Sequence, residues 1–210
     1  MKIFKNGLLT GLILQFAVGP VFFFIANLAL QKTLYDGLAG VTAVTLVDYL
    51  YITLAVFGVG KLLEKRKIKK MFGIISSIIL ILFGIIMLKS AADINISSHF
   101  AVYTYQTDIL LSFISVFFLT ISSPMTIVFW TGLFATKAIE YNYSKRELLI
   151  FGLAAGLATP IFMGASAISL FLLKESVPSI LIQILNLTVG CLLVLYGGIR
   201  LKKSLYNDMW

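Results

Sequence analysis

Residues that build redox and metal chemistry are almost missing from this chain. Among 210 residues there is one cysteine, Cys191, and one histidine, His99. A lone cysteine cannot form an intrachain disulfide or a paired thiol redox centre, and metal sites need several carboxylate, His or Cys ligands. An intramembrane serine protease would need a histidine inside an apolar run, whereas His99 lies in a polar stretch. No GxxxxGK motif for ATP phosphates is present, so we expect neither an enzyme nor a cofactor.

Charge is also scarce. Only 12% of the residues are charged and 60% are hydrophobic, whereas a soluble domain carries about 25% charge. This composition predicts an integral membrane protein. The net charge of +8 does not indicate a nucleic-acid partner, because the basic residues stand between apolar runs, where membrane topology explains them.

Six apolar runs follow one another, at residues 7–30, 37–60, 71–88, 109–136, 148–173 and 179–199. A membrane helix needs about 20 apolar residues, and the runs are too continuous for the alternating strands of a membrane barrel. We therefore predict an all-α integral membrane protein with six transmembrane helices and one domain over residues 1–210. We expect the polar stretch 93–108, between the third and the fourth helix, to form an external loop.

The basic residues predict the orientation of the chain. Of 17 Lys and Arg residues, only Lys32, Lys89 and Lys174 fall on the side opposite to the N-terminus. Basic loops stay in the cytoplasm, so we expect a multi-pass protein of the cell membrane with both termini cytoplasmic. The dense basic run 65–70 either fixes this topology or binds anionic lipid headgroups. Residues 31–36 are predicted to form a short polar turn between the first two runs, and we interpret Trp130, Trp210 and the tyrosines near run ends as membrane-interface anchors.

The two halves of the chain show a weak internal similarity. Pro20 lies near the centre of the first run and Pro124 near the centre of the fourth, while the second and fifth runs begin with GLAGVTAVT and GLAAGLATP. Three spans that start inside and three that start outside are inverted copies in topology. We predict two inverted-topology three-helix repeats, 1–92 and 109–210, an arrangement found in many secondary transporters.

Three prolines, Pro20, Pro124 and Pro160, lie near mid-span. A proline inside a helix removes a backbone donor and frees the carbonyl four residues before it. Lipid cannot satisfy such a carbonyl, so each predicted break faces protein or a water-lined cavity. We expect three broken helices, which are binding points or packing kinks.

Asp48 is the only acidic residue inside a predicted span. A carboxylate at the bilayer centre costs roughly 3 kcal/mol, so Asp48 is expected to face the bundle interior. Its partner is then a proton, a metal ion or a cationic group of a substrate, with the Thr45 and Tyr51 hydroxyls as expected donors. A protonated Asp that only links helices is the structural alternative.

Polar and small residues beside Asp48 and the prolines complete the predicted site. Helix N-termini favour anions, while Asp48 and freed carbonyls suit an ammonium, so a zwitterion such as an amino acid fits both ends. Helix packing through small residues is the competing explanation. The predicted substrate- or ion-binding residues are Asp48, Gln15, Gly19, Pro20, Thr45, Ser122, Ser123, Pro124, Thr126 and Pro160.

These motifs resemble the LysE family of amino-acid exporters. The resemblance rests on Gly19-Pro20, on Asp48 followed by an apolar run and Gly-Val-Gly at 58–60, on the basic loop and on a Ser-Pro in the fourth span. It covers nearly the whole chain. Two departures are Ala-Val-Gly-Pro at 17–20 for the family's Ser-Pro-Gly-Pro, and Ser-Pro at 123–124 for its Asn-Pro. The resemblance implies gradient-driven efflux of amino acids or similar metabolites.

The leading hypothesis is a secondary transporter that exports amino-acid-like solutes and uses the proton or ion gradient. Its partners would be a small-molecule substrate and membrane lipids, with no nucleic acid, and a homo-oligomer is left open. The rivals are a metal-cation exporter, for which one acid within the spans is a poor ligand set, and a non-transporting membrane scaffold, which would leave Asp48 unused.

Overall fold

A computed structural model of the chain describes residues 2–15, 19–57, 66–92, 108–122 and 124–206, and within these ranges every regular element is helical. The helices are α1 (Lys2–Gln15), α2 (Pro20–Gln31), α3 (Leu34–Val56), α4 (Arg66–Ala92), α5 (Ile109–Ile121), α6 (Pro124–Glu140), α7 (Lys145–Leu173) and α8 (Ser179–Tyr206), with a single 3₁₀ turn at Lys174–Ser176. Most of the predicted external loop lies outside the described residues.

Among the described residues, three helical segments are long and apolar enough to cross a membrane, namely Leu34–Val56, Lys145–Ser176 and Ile180–Leu205. A fourth candidate is the pair α1 and α2, if the two helices form one bent span. Large apolar side chains on these helices are exposed, including Leu46, Leu50 and Leu195. The fold is therefore an all-helical membrane bundle whose outer surface suits lipid.

The first predicted span is two helices and not one kinked helix. α1 ends at Gln15, α2 begins at Pro20, and the two helices are bent by 78° at the break. Gly19 is the extended N-cap of α2, and Pro20 occupies its first turn, where the missing N–H group costs no hydrogen bond. Phe16, whose carbonyl we expected Pro20 to free, lies outside the described residues.

The fourth predicted span is divided in the same way. α5 ends at Ile121 with Ser122 as its C-cap, and α6 begins at Pro124; Ser123 lies outside the described residues. The prediction of a third break is wrong, because α7 continues through Pro160 as one helix. A proline within a membrane helix does not always interrupt it, because neighbouring helices can satisfy the backbone group that the proline frees.

Matching caps begin α3 and α7. Thr33 and Asp36 form a capping box at α3, and Ser144 and Glu147 form another at α7. In each box the hydroxyl accepts from the backbone three residues on, and the carboxylate accepts from the cap residue. Asp36, which we predicted in a polar turn, therefore lies in the first turn of α3.

The two halves of the chain are interleaved. α1 packs along α7 in parallel, where Gly7 faces Phe151 and Gly11 faces the Ala155 carbonyl so closely that an added Cβ would overlap it. α5 packs along α3 in parallel as well, with Asp36 against Ser112 at one end. α3 also packs on α7, and α4 packs on α8.

Candidate functional site

Asp48 lies inside the bundle on α3. Its side chain is 8% exposed, among the buried residues Val44, Val47, Tyr51 and Ile52. These positions share the inward face of α3, while Leu46 and Leu50 are exposed on the opposite face. The expectation that Asp48 faces the interior is confirmed, and it is required by the cost of a carboxylate in contact with lipid.

A chain of hydrogen bonds joins Asp48 to the broken span. The Thr159 hydroxyl on α7 donates to Asp48 Oδ2 at 2.7 Å, and Gln15 Nε2 donates to Thr159 Oγ1 at 2.9 Å. Gln15 is the last residue of α1, immediately before the break. Thr159 is fully buried and Gln15 is half-buried, so the three side chains form one polar path across three helices, buried at its Asp48 end.

Trp130 on α6 interacts with the same carboxyl through its side chain. We interpreted Trp130 as a membrane-interface anchor, but it is 5% exposed and stacks on Phe134 at a centroid distance of 5.9 Å. That interpretation is wrong, because α6, the second part of the divided fourth span, carries Trp130 into the bundle. Side chains of α6 and α7 therefore contact the Asp48 carboxyl on α3, and α1 joins them through the hydrogen bond from Gln15 to Thr159.

Close packing of α3 and α7 brings Asp48 and Thr159 together. A Cβ at Gly156 would come within 2.5 Å of the Tyr49 ring, and the Tyr49 hydroxyl donates to the Leu153 carbonyl at 3.1 Å. Small residues let membrane helices approach this closely. Pro160 follows Thr159 directly and provides no N–H for the Gly156 carbonyl.

Several predicted site residues form hydrogen bonds within their own helices and not with Asp48. The Thr45 hydroxyl donates to the Val41 carbonyl at 2.7 Å, and the Ser122 hydroxyl donates to the Phe118 carbonyl at 2.5 Å. The expected Tyr51 hydrogen bond to Asp48 is not formed either, because Tyr51 donates to the Ile121 carbonyl at 2.7 Å. That carbonyl ends α5, so Tyr51 fastens α3 to the second break.

The remaining predicted residues lie at the starts of the helices that follow the two breaks, or beside Thr159. Gly19 and Pro20 begin α2, whose Phe22 ring is 6.0 Å from that of Phe162 on α7. Pro124 begins α6, and Thr126 is half-buried in its first turn.

Sequence reasoning missed three groups. The first is Thr159 itself, which the LATP motif before Pro160 could have indicated. The second is the pairing of two asparagines, in which Asn27 Nδ2 donates to Oδ1 of the fully buried Asn186; the sequence pattern places Asn186 on an inward face but gives it no partner. The third is Arg200, which is half-buried and interacts electrostatically with Tyr51, whereas by sequence it is one of the cations on the side of the N-terminus.

A buried acid also fastens the other end of the bundle. Asp36 is 0% exposed and accepts hydrogen bonds from Ser112 Oγ at 2.7 Å and Thr33 Oγ1 at 2.6 Å. Lys32 Nζ donates to the same Ser112 oxygen at 3.3 Å. These four residues, the Asp36 cluster, join the connection between α2 and α3 to the first turn of α5.

Metal ligands are not gathered at either site. Within the described ranges no three His, Cys, Asp or Glu residues come together as a metal site would require. The contacts of Asp48 are a hydroxyl and an indole, and those of Asp36 are hydroxyls and a backbone N–H group.

A buried polar path inside a lipid-facing helical bundle is typical of membrane transport proteins. Residues 12–202 match the family model described as LysE type translocator, and the chain belongs to that family. It is therefore a multi-pass membrane translocator and not an enzyme. A curated relative from Bacillus subtilis (strain 168), named "Putative amino acid efflux protein YcgF", is 26% identical over 207 residues, which cover 94% of each chain. No solved structure gives a significant match.

Proposed function

We propose that this chain is a secondary transporter that exports amino acids or similar small metabolites across the cell membrane. The observation that carries the proposal is the polar path from Gln15 through Thr159 to Asp48, at the point where the first span is broken. The efflux named for the Bacillus subtilis relative supports the direction and the solute class.

Six spans in two inverted repeats are part of the proposal. Under this assignment α1–α2 and α5–α6 are broken spans one and four, and α3, α4, α7 and α8 are the others. The packing is consistent with an exchange of the halves, because α1 and α2 contact α7 while α5 and α6 contact α3. The capping boxes that begin α3 and α7 correspond in the same way.

Asp48 is the proposed site for the ammonium group of the solute or for the coupling ion. One of its oxygens accepts from Thr159, and a cation would bind the carboxylate where desolvation makes electrostatic interactions strong. Proton coupling would use the same carboxyl, alternately protonated and ionised. The N-terminus of α2 at Gly19-Pro20, with its partial positive charge, is the proposed partner of a solute carboxylate.

The conformation described here is proposed to be closed on the outer side. With both termini in the cytoplasm, as the basic residues predict, the Asp36 cluster lies at the outer end. It joins α3 of the first repeat to α5 of the second through Ser112. Opening toward the outside would then require this hydrogen bond to break.

The test is efflux from proteoliposomes loaded with labelled amino acids, under an imposed pH gradient. We expect Asp48→Asn to abolish gradient-driven efflux. Asp108→Asn is the matched control, because Asp108 is exposed and caps α5 with its side chain, and Asn caps a helix as well as Asp does.

Two results would contradict the proposal. Efflux undiminished in Asp48→Asn would remove the assigned role of this residue. Absence of efflux for every amino acid tested, in protein that is folded and inserted, would favour the scaffold alternative, and release of a divalent cation in its place would favour metal export.

A further inference from the structure

A cavity of about 210 Å³ lies away from the Asp48 site, between α1 and the connection from α6 to α7. Its α1 wall consists of Asn6, Leu9, Thr10 and Ile13. Liquid water occupies about 30 Å³ per molecule, so the cavity has room for roughly seven waters. It is large enough for a phosphate group and a few attached carbon atoms.

The α1 wall shows that the cavity opens sideways. Gly7 and Gly11 turn the opposite face of α1 against α7, whereas Leu9 and Ile13 are 61% and 62% exposed. A helix rises 1.5 Å per residue, so Ile13 lies about 10 Å further along α1 than Asn6. The α1 wall thus begins with a polar side chain and ends with an exposed apolar one, as the headgroup and acyl chain of a phospholipid would require.

Lys137 supplies a cation to the second wall. Its Nζ lies 4.5 Å from the centre of the Tyr141 ring and 5.9 Å from that of Phe151, and all three residues line the cavity. The nearest carboxylate is that of Glu140, 3.9 Å from the same Nζ, and it is 56% exposed. The Lys137 side chain is 20% exposed. Because the pair is long and Glu140 is open to water, which screens its charge, the ammonium can still attract an anion.

Basic residues outnumber acidic ones on the segments that line the cavity. Lys2 lies one helical turn before Asn6, and Lys145 and Arg146 begin α7, and all three side chains are exposed. Glu147 accepts hydrogen bonds from Ser144 at its own helix start. The cavity therefore combines a net positive rim with hydrogen-bond donors and a lipid-facing apolar wall.

We propose that this cavity binds the headgroup of an anionic phospholipid, with phosphatidylglycerol as the fitting chemistry. Lys137 attracts the phosphate, Asn6 and Thr10 donate hydrogen bonds to its oxygens, and an acyl chain lies along Leu9 and Ile13. A bound lipid thereby ties α1 to the connection between α6 and α7. This inference requires only that the protein lies in a membrane, and it does not depend on which solute is transported.

The experiment uses the full chain in phosphatidylcholine nanodiscs, with phosphatidylglycerol titrated in and thermal unfolding recorded. We expect phosphatidylglycerol to raise the unfolding temperature of the wild type. A lysine near a membrane surface contributes to anionic-lipid binding by about fivefold in affinity, so Lys137→Gln should shift the titration midpoint by that factor. Glu140→Gln should shift it the other way.

Lys174→Gln is the matched control. Lys174 Nζ lies 4.3 Å from the Phe171 ring centre at the opposite end of α7. The Lys174→Gln variant therefore loses a similar contact between an ammonium and an aromatic ring, but leaves the cavity unchanged. Its titration should match the wild type. A second variant, Asn6→Leu, tests the other wall if Lys137→Gln fails to fold.

Three results would overturn the inference. One is an unchanged titration in both Lys137→Gln and Asn6→Leu. A second is binding of soluble glycerol phosphate as tight as that of the lipid, which would indicate a site for free anions. The third is displacement of phosphatidylglycerol by an amino acid, which would place the cavity on a solute route.

Discussion

Thr159→Val tests the polar path most directly, because valine keeps nearly the shape of threonine and has a methyl group in place of the hydroxyl. That hydroxyl accepts from Gln15 and donates to Asp48, so two hydrogen bonds between helices are lost. Such bonds in membrane proteins average about 0.6 kcal/mol and reach about 1.7 kcal/mol. We therefore expect the free energy of unfolding to fall by about 1 to 3 kcal/mol.

The same substitution should also slow transport. Without Thr159 the Asp48 carboxyl loses a fixed donor, and the end of α1 loses its attachment to α7. We expect the initial rate of solute efflux from proteoliposomes to fall by at least about tenfold, since 1.4 kcal/mol corresponds to a factor of ten. Thr159→Ser keeps the hydroxyl and should retain efflux within about twofold.

The matched control is Thr42→Val on the lipid-facing side of α3. Thr42 is exposed, and its hydroxyl donates to the Leu38 carbonyl of its own helix. Unfolding in detergent and efflux should therefore be nearly unchanged. If Thr159→Val were indistinguishable from Thr42→Val in both measurements, the polar path would have no energetic or functional role.

Three further outcomes are expected. Gly11→Leu should lower the unfolding temperature and abolish efflux, because its side chain would overlap the Ala155 carbonyl and push α1 off α7; normal unfolding would disprove that contact. Ser112→Ala should lower the free energy of unfolding by about 1 to 3 kcal/mol in denaturant, because the buried Asp36 loses a donor, and a value near zero would contradict the role assigned to the Asp36 cluster. Tyr51→Phe should cost about 1 kcal/mol by the same measurement and slow efflux, whereas unchanged efflux would separate the second break from transport.

The sequence predicted the positions where helices are interrupted better than the geometry of the interruptions. Pro20 and Pro124 were correctly placed at breaks, because a proline cannot donate to the preceding turn. Pro160 has the same local chemistry, yet α7 continues through it. The difference depends on which side chains pack around each proline. The spacing of residues along the sequence carries no information about this packing.

The interior position of Asp48 was predictable from the cost of exposing a carboxylate to lipid. Its partners were not, because we searched for donors within the same helix, whereas Thr159 lies 111 residues away in the sequence. Trp130 and Asp36 were misjudged for a related reason. Tryptophan near a run end is common at interfaces, and only the folded chain shows which ends are turned inward.

Polar side chains of each half are satisfied by the other half. Asp48 depends on Thr159, Asp36 on Ser112, and the Tyr51 hydroxyl on the carbonyl that ends α5. During synthesis, the first half of the chain would thus enter the bilayer with a carboxyl group whose donors are still being translated. Premature release of that half from the insertion machinery would expose an unpaired acid to lipid. Biogenesis should therefore be unusually sensitive to truncation between the two halves, and supplying the missing half as a separate chain should rescue it.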